Sequence, residues 1–373
     1  MFRIRSFIEE MKKEYRLHII NTSFNGKKQN VNYYKIDENI SRKLDKKTKI
    51  RENPVFRSFI LPFFYFGWIL SCFIKGSKIV EKNNIDIIFV SHGPPEVLIT
   101  GYLLKLKNKN CKFVTDYRDS WTDNPYRTYP SRLLRRILKN IEKDVLKKSN
   151  LIIVVSEVEK KRFLINYNNV EDKIAIIRNG FFNVKKINKI KEDYFKITHS
   201  GSFYKKKQPD IIFKAYKRFL ERINYENTRF YFIGTLDNES IEKTRKLGLT
   251  NNIIFTGIIP YSQALHNIQD SDLLLFYEPT LAMTTKIYDY LSSGNPIIAV
   301  TENTEVIKLI KKYSPYSITI THYDENVISN HMYNYYKSWK KGIKYDFRLK
   351  SLYFRKYSRK NLAKELVAKI NGI

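Results

Sequence analysis

The chain has 373 residues, 43% hydrophobic and 14% aromatic, enough to build full cores in two domains. Its 68 basic and 37 acidic side chains leave a formal charge of +31, which points to an anionic membrane, nucleic acid or an anionic substrate. The two cysteines, Cys72 and Cys111, exclude a disulfide or cysteine-based metal framework and fit a reducing compartment.

The first predicted element is a helix over residues 2–15, with Phe2, Ile4, Phe7, Ile8 and Met11 at helical spacing. LHIINTS follows as a strand. An α/β domain ordinarily begins with a strand, and none precedes this helix. Residues 24–51 are polar and basic and read as loop with a short strand around 31–34. The most apolar stretch is VFRSFILPFFYFGWILSCFI, residues 55–74. Arg57 and Pro62 interrupt it, which argues against a membrane span. Its aromatic side chains suit a membrane interface, and a core helix packed on a sheet is the alternative.

Strands predicted over 85–90, 113–116, 151–155 and 174–177 alternate with helices over 97–106, 131–147 and 157–166, the pattern of a doubly wound parallel sheet. The middle helix carries Arg132, Arg135, Arg136, Lys139, Lys143 and Lys147 on one side. Leu134, Ile137, Leu138, Ile141 and Val145 lie on the other. That stripe fits a membrane-surface helix, or the solvated face of an ordinary sheet-covering helix. Two motifs end strands here. SHGPP places His92 as an acceptor-side or catalytic group, or as a structural hydrogen bonder. FVTDYRDSW places Asp116, Arg118 and Asp119 together, either as site carboxylates or as an Asp116–Arg118 or Arg118–Asp119 ion pair.

Asn179-Gly180 marks a turn, and the basic stretch after it is the domain boundary. Alternation restarts with strands over 195–200, 229–233 and 252–256, which run into Gly201, Gly234 and Gly257. Glycine at a strand's carboxyl end lets the backbone approach a ligand. In GSFYKKKQPD, residues 201–210, Lys205, Lys206 and Lys207 offer point charges to a diphosphate or form a basic turn. Residues 272–301, DLLLFYEPTLAMTTKIYDYLSSGNPIIAVT, read as strand, helix and parallel strand. Thr284 or Thr285 caps the helix and Gly294 ends it. Lys286 and Asp289 lie three apart at the end where ligands sit, a cation for phosphate and a carboxylate for sugar hydroxyls. A surface pair is the alternative. The chain closes on a helix with Leu362, Leu366, Val367 and Ile370 on its apolar side.

The order and spacing of SHGPP, DYRDSW, IIVVSE, IIRNG, HSGSFYKKKQPDIIFKAY, FYFIGT, IIFTG, SDLLLFYEPT and KIYDYLSSGNPIIAV resemble the GT-B glycosyltransferases of family 4 found in bacterial capsule, exopolysaccharide and lipopolysaccharide clusters. The resemblance implies two Rossmann-like α/β domains with parallel sheets facing a central crevice. These would be an acceptor domain over 1–180, a donor domain over 181–355, and a helix over 356–373 crossing back to the first. It implies a retaining, hexosyltransferase-type enzyme that moves a sugar from a nucleotide diphosphate, UDP, to a lipid-linked glycan in surface polysaccharide synthesis. No metal or other cofactor and no specific nucleic acid are expected. The protein would be cytoplasmic and peripheral at the inner face of the plasma membrane, on anionic lipid. Lys207 matches the lysine that binds the donor diphosphate, with Lys206, Gly201 and Gly234 beside it. Asp289 stands at the last glutamate of the family's E-x7-E motif, which binds the ribose, and Lys286 at a lysine common in the K-I-Y-E-Y-L variant. Asp116 and Asp119 match the acidic pair near the donor and acceptor sugars, with His92 in the same crevice. The chain departs from the family at Leu281, where the first glutamate falls, and at Ser202, often arginine. Set against the family pattern, a first strand and Gly-rich loop are expected before Phe2, and a late start codon, a truncation or a real loss would account for their not standing there. Those departures keep open a partner-dependent, non-catalytic subunit, and the charge keeps open a nucleic-acid-binding protein.

Overall fold

The computed structural model describes residues 2–22, 26–36, 61–124, 129, 131–182, 193–203, 209–225, 227–343, 345 and 351–373, without the side chains of 2, 61–66 and 351. It divides into two compact units. Unit 1 is Met1–Arg178 with Lys360–Ile373, and unit 2 is Asn179–Arg359.

Unit 1 opens with α1 (Phe2–Met11), then β1 (Leu17–Asn21), β2 (Gly26–Lys28) and β3 (Val31–Lys35). These strands form a sheet of their own, with β1 parallel and β2 antiparallel to β3. After α2 (Leu61–Asn83) come β4 (Ile87–Ser91), α3 (Val97–Lys107), β5 (Lys112–Tyr117), α4 (Arg132–Lys148), β6 (Leu151–Val154), α5 (Glu157–Asn166) and β7 (Ile174–Ile176). The four strands are parallel in the order β4-β5-β6-β7. No backbone ladder among the described residues joins β1 to β4. The alternation of strand and helix is therefore as expected, but the sheet is split in two.

Alternating side-chain direction sorts the residues of the four-stranded sheet to two cores. On one face, Leu98, Phe113, Tyr117, Trp121, Val145 and Leu146 pack together. On the other, Val114, Ile153 and Ala175 meet Phe7 and Met11 of α1. The same core takes Leu362, Ala363, Leu366, Val367 and Ile370 of the last helix, α13 (Arg359–Asn371). Of the apolar positions read in the two terminal helices, Phe7, Met11, Leu362, Leu366, Val367 and Ile370 are buried in this core, with Ile4 packed against it. Among the described residues no helix is long and apolar enough to cross a membrane.

Unit 2 runs β8 (Phe195–Ser200), α6 (Asp210–Arg222), β9 (Thr228–Ile233), α7 (Asn238–Lys246), β10 (Ile253–Gly257), α8 (Tyr261–Asp270), β11 (Leu273–Glu278), α9 (Lys286–Ser293) and β12 (Ile297–Thr301). It ends with α10 (Thr304–Tyr313), β13 (Ile318–Ile320), α11 (Glu325–Lys340) and α12 (Ser351–Tyr357). All six strands are parallel, in the order β10-β9-β8-β11-β12-β13. The chain therefore winds one way from β8 and the other way from β11. Such a reversal opens a crevice at the strands' carboxyl ends, where ligands of open α/β sheets bind. Strands β11 and β12 are buried throughout, which explains their unbroken apolar sequence.

Candidate donor and acceptor sites

In unit 2, Gly201, Gly234 and Lys286 of the predicted donor residues come together at the β8/β11 reversal. Gly201 follows β8 at φ +143° and Gly234 follows β9 at φ +137°, conformations that L side chains rarely adopt. A Cβ on Gly234 would lie 2.6 Å from the carbonyl oxygen of Gly201, so the two strand ends approach too closely for any side chain. A Cβ on Gly201 would lie 3.0 Å from Lys286 Nζ, which places the ammonium directly over that glycine. Lys286 Nζ donates to the carbonyl of Tyr277 at 3.3 Å and sits 5.3 Å from the centre of the Phe276 ring.

Helix α9 is anchored for this purpose. The Ser200 N–H donates to the Tyr290 hydroxyl at 2.7 Å, and that hydroxyl donates to the Leu275 carbonyl at 3.4 Å. One buried phenol thereby ties the helix to both β8 and β11. Gly294 ends the helix as expected, at φ +77°. Thr285 stands at the N-cap, but its backbone is already helical and its side chain makes no capping bond, which corrects the expected cap. A lysine in an uncapped first turn adds its charge to the positive end of the helix dipole. An anion relieves both.

Asp289, three positions on, is buried. The Tyr261 hydroxyl, on α8, donates to Asp289 Oδ1 at 2.7 Å. Burial pushes the carboxyl up to about 6, while the Tyr261 bond and the charge of Arg359 work against the rise. Leu281, where the family has its first glutamate, is 49% exposed. Glu278, which sequence reasoning passed over, ends β11 fully buried and accepts from Thr280 Oγ1 at 2.7 Å. Tyr261 was missed as well; it lies 28 positions from Asp289 with no local signal linking them. Lys205, Lys206 and Lys207 lie outside the described residues.

In unit 1 the DYRDSW motif divides between two tasks. Asp116 is fully buried. Its Oδ1 accepts from Arg3 Nη2 at 2.9 Å and its Oδ2 from Ser91 Oγ at 2.8 Å. Arg3 Nη1 donates to the Arg178 carbonyl at 2.7 Å. The ion pair is therefore made with the first helix and not with Arg118, because burial demands a counter-charge that comes from the core side. His92 is buried; its N–H donates to the Asp116 carbonyl at 2.8 Å, and its ring stacks on Tyr117. Asp119 is exposed. Beside it, Ser120 Oγ donates to Glu159 Oε2 at 2.6 Å, and Arg162 bonds both Ser120 and Glu159. Burial raises the Glu159 carboxyl, and Asp119 adds to the rise. The rear of the motif is structural: Trp121 is fully buried, and Thr122 N donates to Glu142 at 3.1 Å.

Comparison with known proteins gives a family for each half. The Glycosyltransferase Family 4 model matches residues 4–181, and the Glycosyl transferases group 1 model matches residues 181–338. An uncharacterised glycosyltransferase of Methanocaldococcus jannaschii is 22% identical over 249 residues, 62% of this chain and 59% of that protein. The match thus spans less than two thirds of that relative's length. Among solved structures, a glycosyltransferase from Rickettsia africae is 16% identical with a TM-score of 0.65, over 98% of this chain and 93% of that one. An Anabaena protein solved with UDP and glucose is 11% identical with a TM-score of 0.65, over 100% and 95%. At these identities the likeness is one of fold. With a family model on each half and the fold shared along the chain with a solved glycosyltransferase, the protein belongs to the GT-B glycosyltransferases of the family 4 type.

Proposed function

We propose that the chain is a retaining, metal-independent glycosyltransferase. It moves a sugar from a UDP-sugar to a hydroxyl of a lipid-linked glycan in bacterial surface polysaccharide synthesis. The observation that carries this reading is the Lys286 ammonium held over Gly201 at the strand reversal of unit 2. As the sugar leaves, negative charge builds on the diphosphate. A fixed cation at a helix N-terminus stabilises that charge without reorganising. The bare backbone at Gly201 and Gly234 gives the phosphates close access, Lys206 and Lys207 add point charges, and Asp289 accepts from the ribose hydroxyls. His92 and Asp119 serve the acceptor side. The Anabaena neighbour's UDP supports the choice of nucleotide.

The test is thermal. UDP at about one hundred times its Kd adds about 2.7 kcal/mol to the native state and raises the unfolding temperature by several degrees. A melting curve unmoved by UDP, GDP and other nucleoside diphosphates overturns the assignment. Leu281 favours one competing reading, a subunit that needs a partner for the far wall of the site. Turnover that appears only with a neighbouring gene product supports that reading instead.

The acceptor's lipid suggests the membrane as the second partner. On α4, Leu133 is 67% and Ile137 47% exposed, so the apolar side of the basic helix is only partly covered by its own unit. Lys139, Lys143 and Lys147 of that helix line a hollow of about 520 Å³ with Lys173. Apolar side chains flanked by lysines suit an anionic bilayer surface. Vesicles containing anionic lipid should sediment the protein at low salt and release it at high salt. Equal binding to neutral vesicles would sink the electrostatic docking.

A further inference from the structure

We propose that Tyr261 and Arg359 are positioning residues that hold the Asp289 carboxylate for the donor and tie it to the two segments by which the chain enters and leaves unit 2. The inference rests on the reading that Asp289 meets the donor ribose. It concerns what sets that carboxylate's orientation and charge.

Unit 2 begins at Asn179 and ends at Arg359. These two ends are paired. The Phe181 N–H donates to the Tyr357 carbonyl at 3.1 Å, and the Arg359 N–H donates to the Phe181 carbonyl at 2.9 Å. Arg359 Nε donates to the carbonyls of Asn179 and Gly180 at 3.3 and 3.2 Å. Its guanidinium lies 4.3 Å from the Phe182 ring centre and 5.7 Å from that of Tyr261. Tyr261 passes the contact on through its 2.7 Å bond to Asp289. A second tie reaches the other side of α9, where Asn179 Nδ2 donates to the Met283 carbonyl at 3.4 Å, just before the helix. The paired ends thus reach the donor helix directly at its leading loop and, through Tyr261, at its carboxylate.

The groups that act on Asp289 are few among the described residues. Arg359 supplies the positive charge, and Tyr261 on α8 supplies the hydrogen bond. Tyr290 on the same helix and Tyr353 on α12 also feel its charge, and burial keeps both phenols neutral. An ionised carboxylate accepts hydroxyl donors on both oxygens, and protonation removes part of that capacity. With the carboxyl raised to about 6, donor affinity weakens as pH falls through that value. Loss of Tyr261 or of the Arg359 charge moves the weakening to higher pH, because each favours the ionised form.

Calorimetric UDP affinity of the full chain between pH 5.5 and 8.5 tests this. UDP's own phosphate titrates near pH 6, so the quantity read is the ratio of variant to wild-type Kd at each pH. For Y261F the expected ratio is within about twofold at pH 8.5 and rises to about fivefold at pH 6, as a shift of about one pKa unit gives. R359Q is expected to slope in the same sense. R359K keeps the charge while losing the Nε–H shared between the Asn179 and Gly180 carbonyls, and is expected to give a ratio flat with pH. A Y261F ratio that is constant across pH overturns the proposal, since a merely structural tyrosine shifts all points equally. D289N separates the two levels: if it binds UDP as wild type does at pH 8.5, the ribose reading itself is wrong.

Discussion

Replacing Lys286 with alanine is expected to lower kcat/KM by about 10²- to 10³-fold, the size of effect seen when one preorganised donor to a developing charge is removed. The loss should fall mostly on kcat. The ammonium is held by the Tyr277 carbonyl and the Phe276 ring, and on the proposed reading its strongest interaction is with the departing diphosphate. Arginine is not expected to rescue. A planar, forked guanidinium presents its charge differently from the compact ammonium that stands beside Gly201. Steady-state kinetics with the natural donor decide the matter. A kcat within threefold of wild type would remove Lys286 from the chemistry.

Asp116→Asn is expected to cost stability, on the order of 3–5 kcal/mol, because it leaves the buried Arg3 guanidinium without a counter-charge. The replacement amide also turns a donor toward Arg3 or Ser91, both of which already donate. By the usual scaling this lowers the unfolding temperature by roughly 6–20 °C. The double variant with Arg3→Met should recover much of the loss, since replacing a whole buried pair is far milder than breaking it. Calorimetric unfolding of the two singles and the double gives the coupling. If Asp116→Asn melts like wild type but loses turnover, the carboxylate belongs to the reaction and not to the frame.

These two residues mark how far the sequence can be read. The place of Lys286 was legible because its signal is local: a strand, a polar loop, a helix start and a second strand within thirty positions put it at the start of the helix that follows the first strand. Asp116 was legible as a buried carboxylate but not in its partner. Arg3 is 113 positions away, and nothing along the chain pairs them until the packing of α1 against β5 does so. The same holds for Asp289. Its place on α9 follows from spacing, but its bond to Tyr261 depends on α8 and α9 packing side by side. The expected threonine cap failed for a related reason: a residue's ability to cap depends on its backbone angles, and Thr285 is already helical.

The chain by itself determined its alternation of strand and helix, its division near Asn179, the glycine-ended strands and the apolar faces of its terminal helices. Each of these is written in periods of two or 3.6 residues or in short turn signals. The tertiary structure alone decided the strand order that reverses between β8 and β11, the split of the unit 1 sheet, the Arg3–Asp116 pair and the Tyr261–Asp289–Arg359 contact. Strand order and buried pairing join residues far apart in sequence, and their free energy comes from desolvation and packing that exist only once the core has formed.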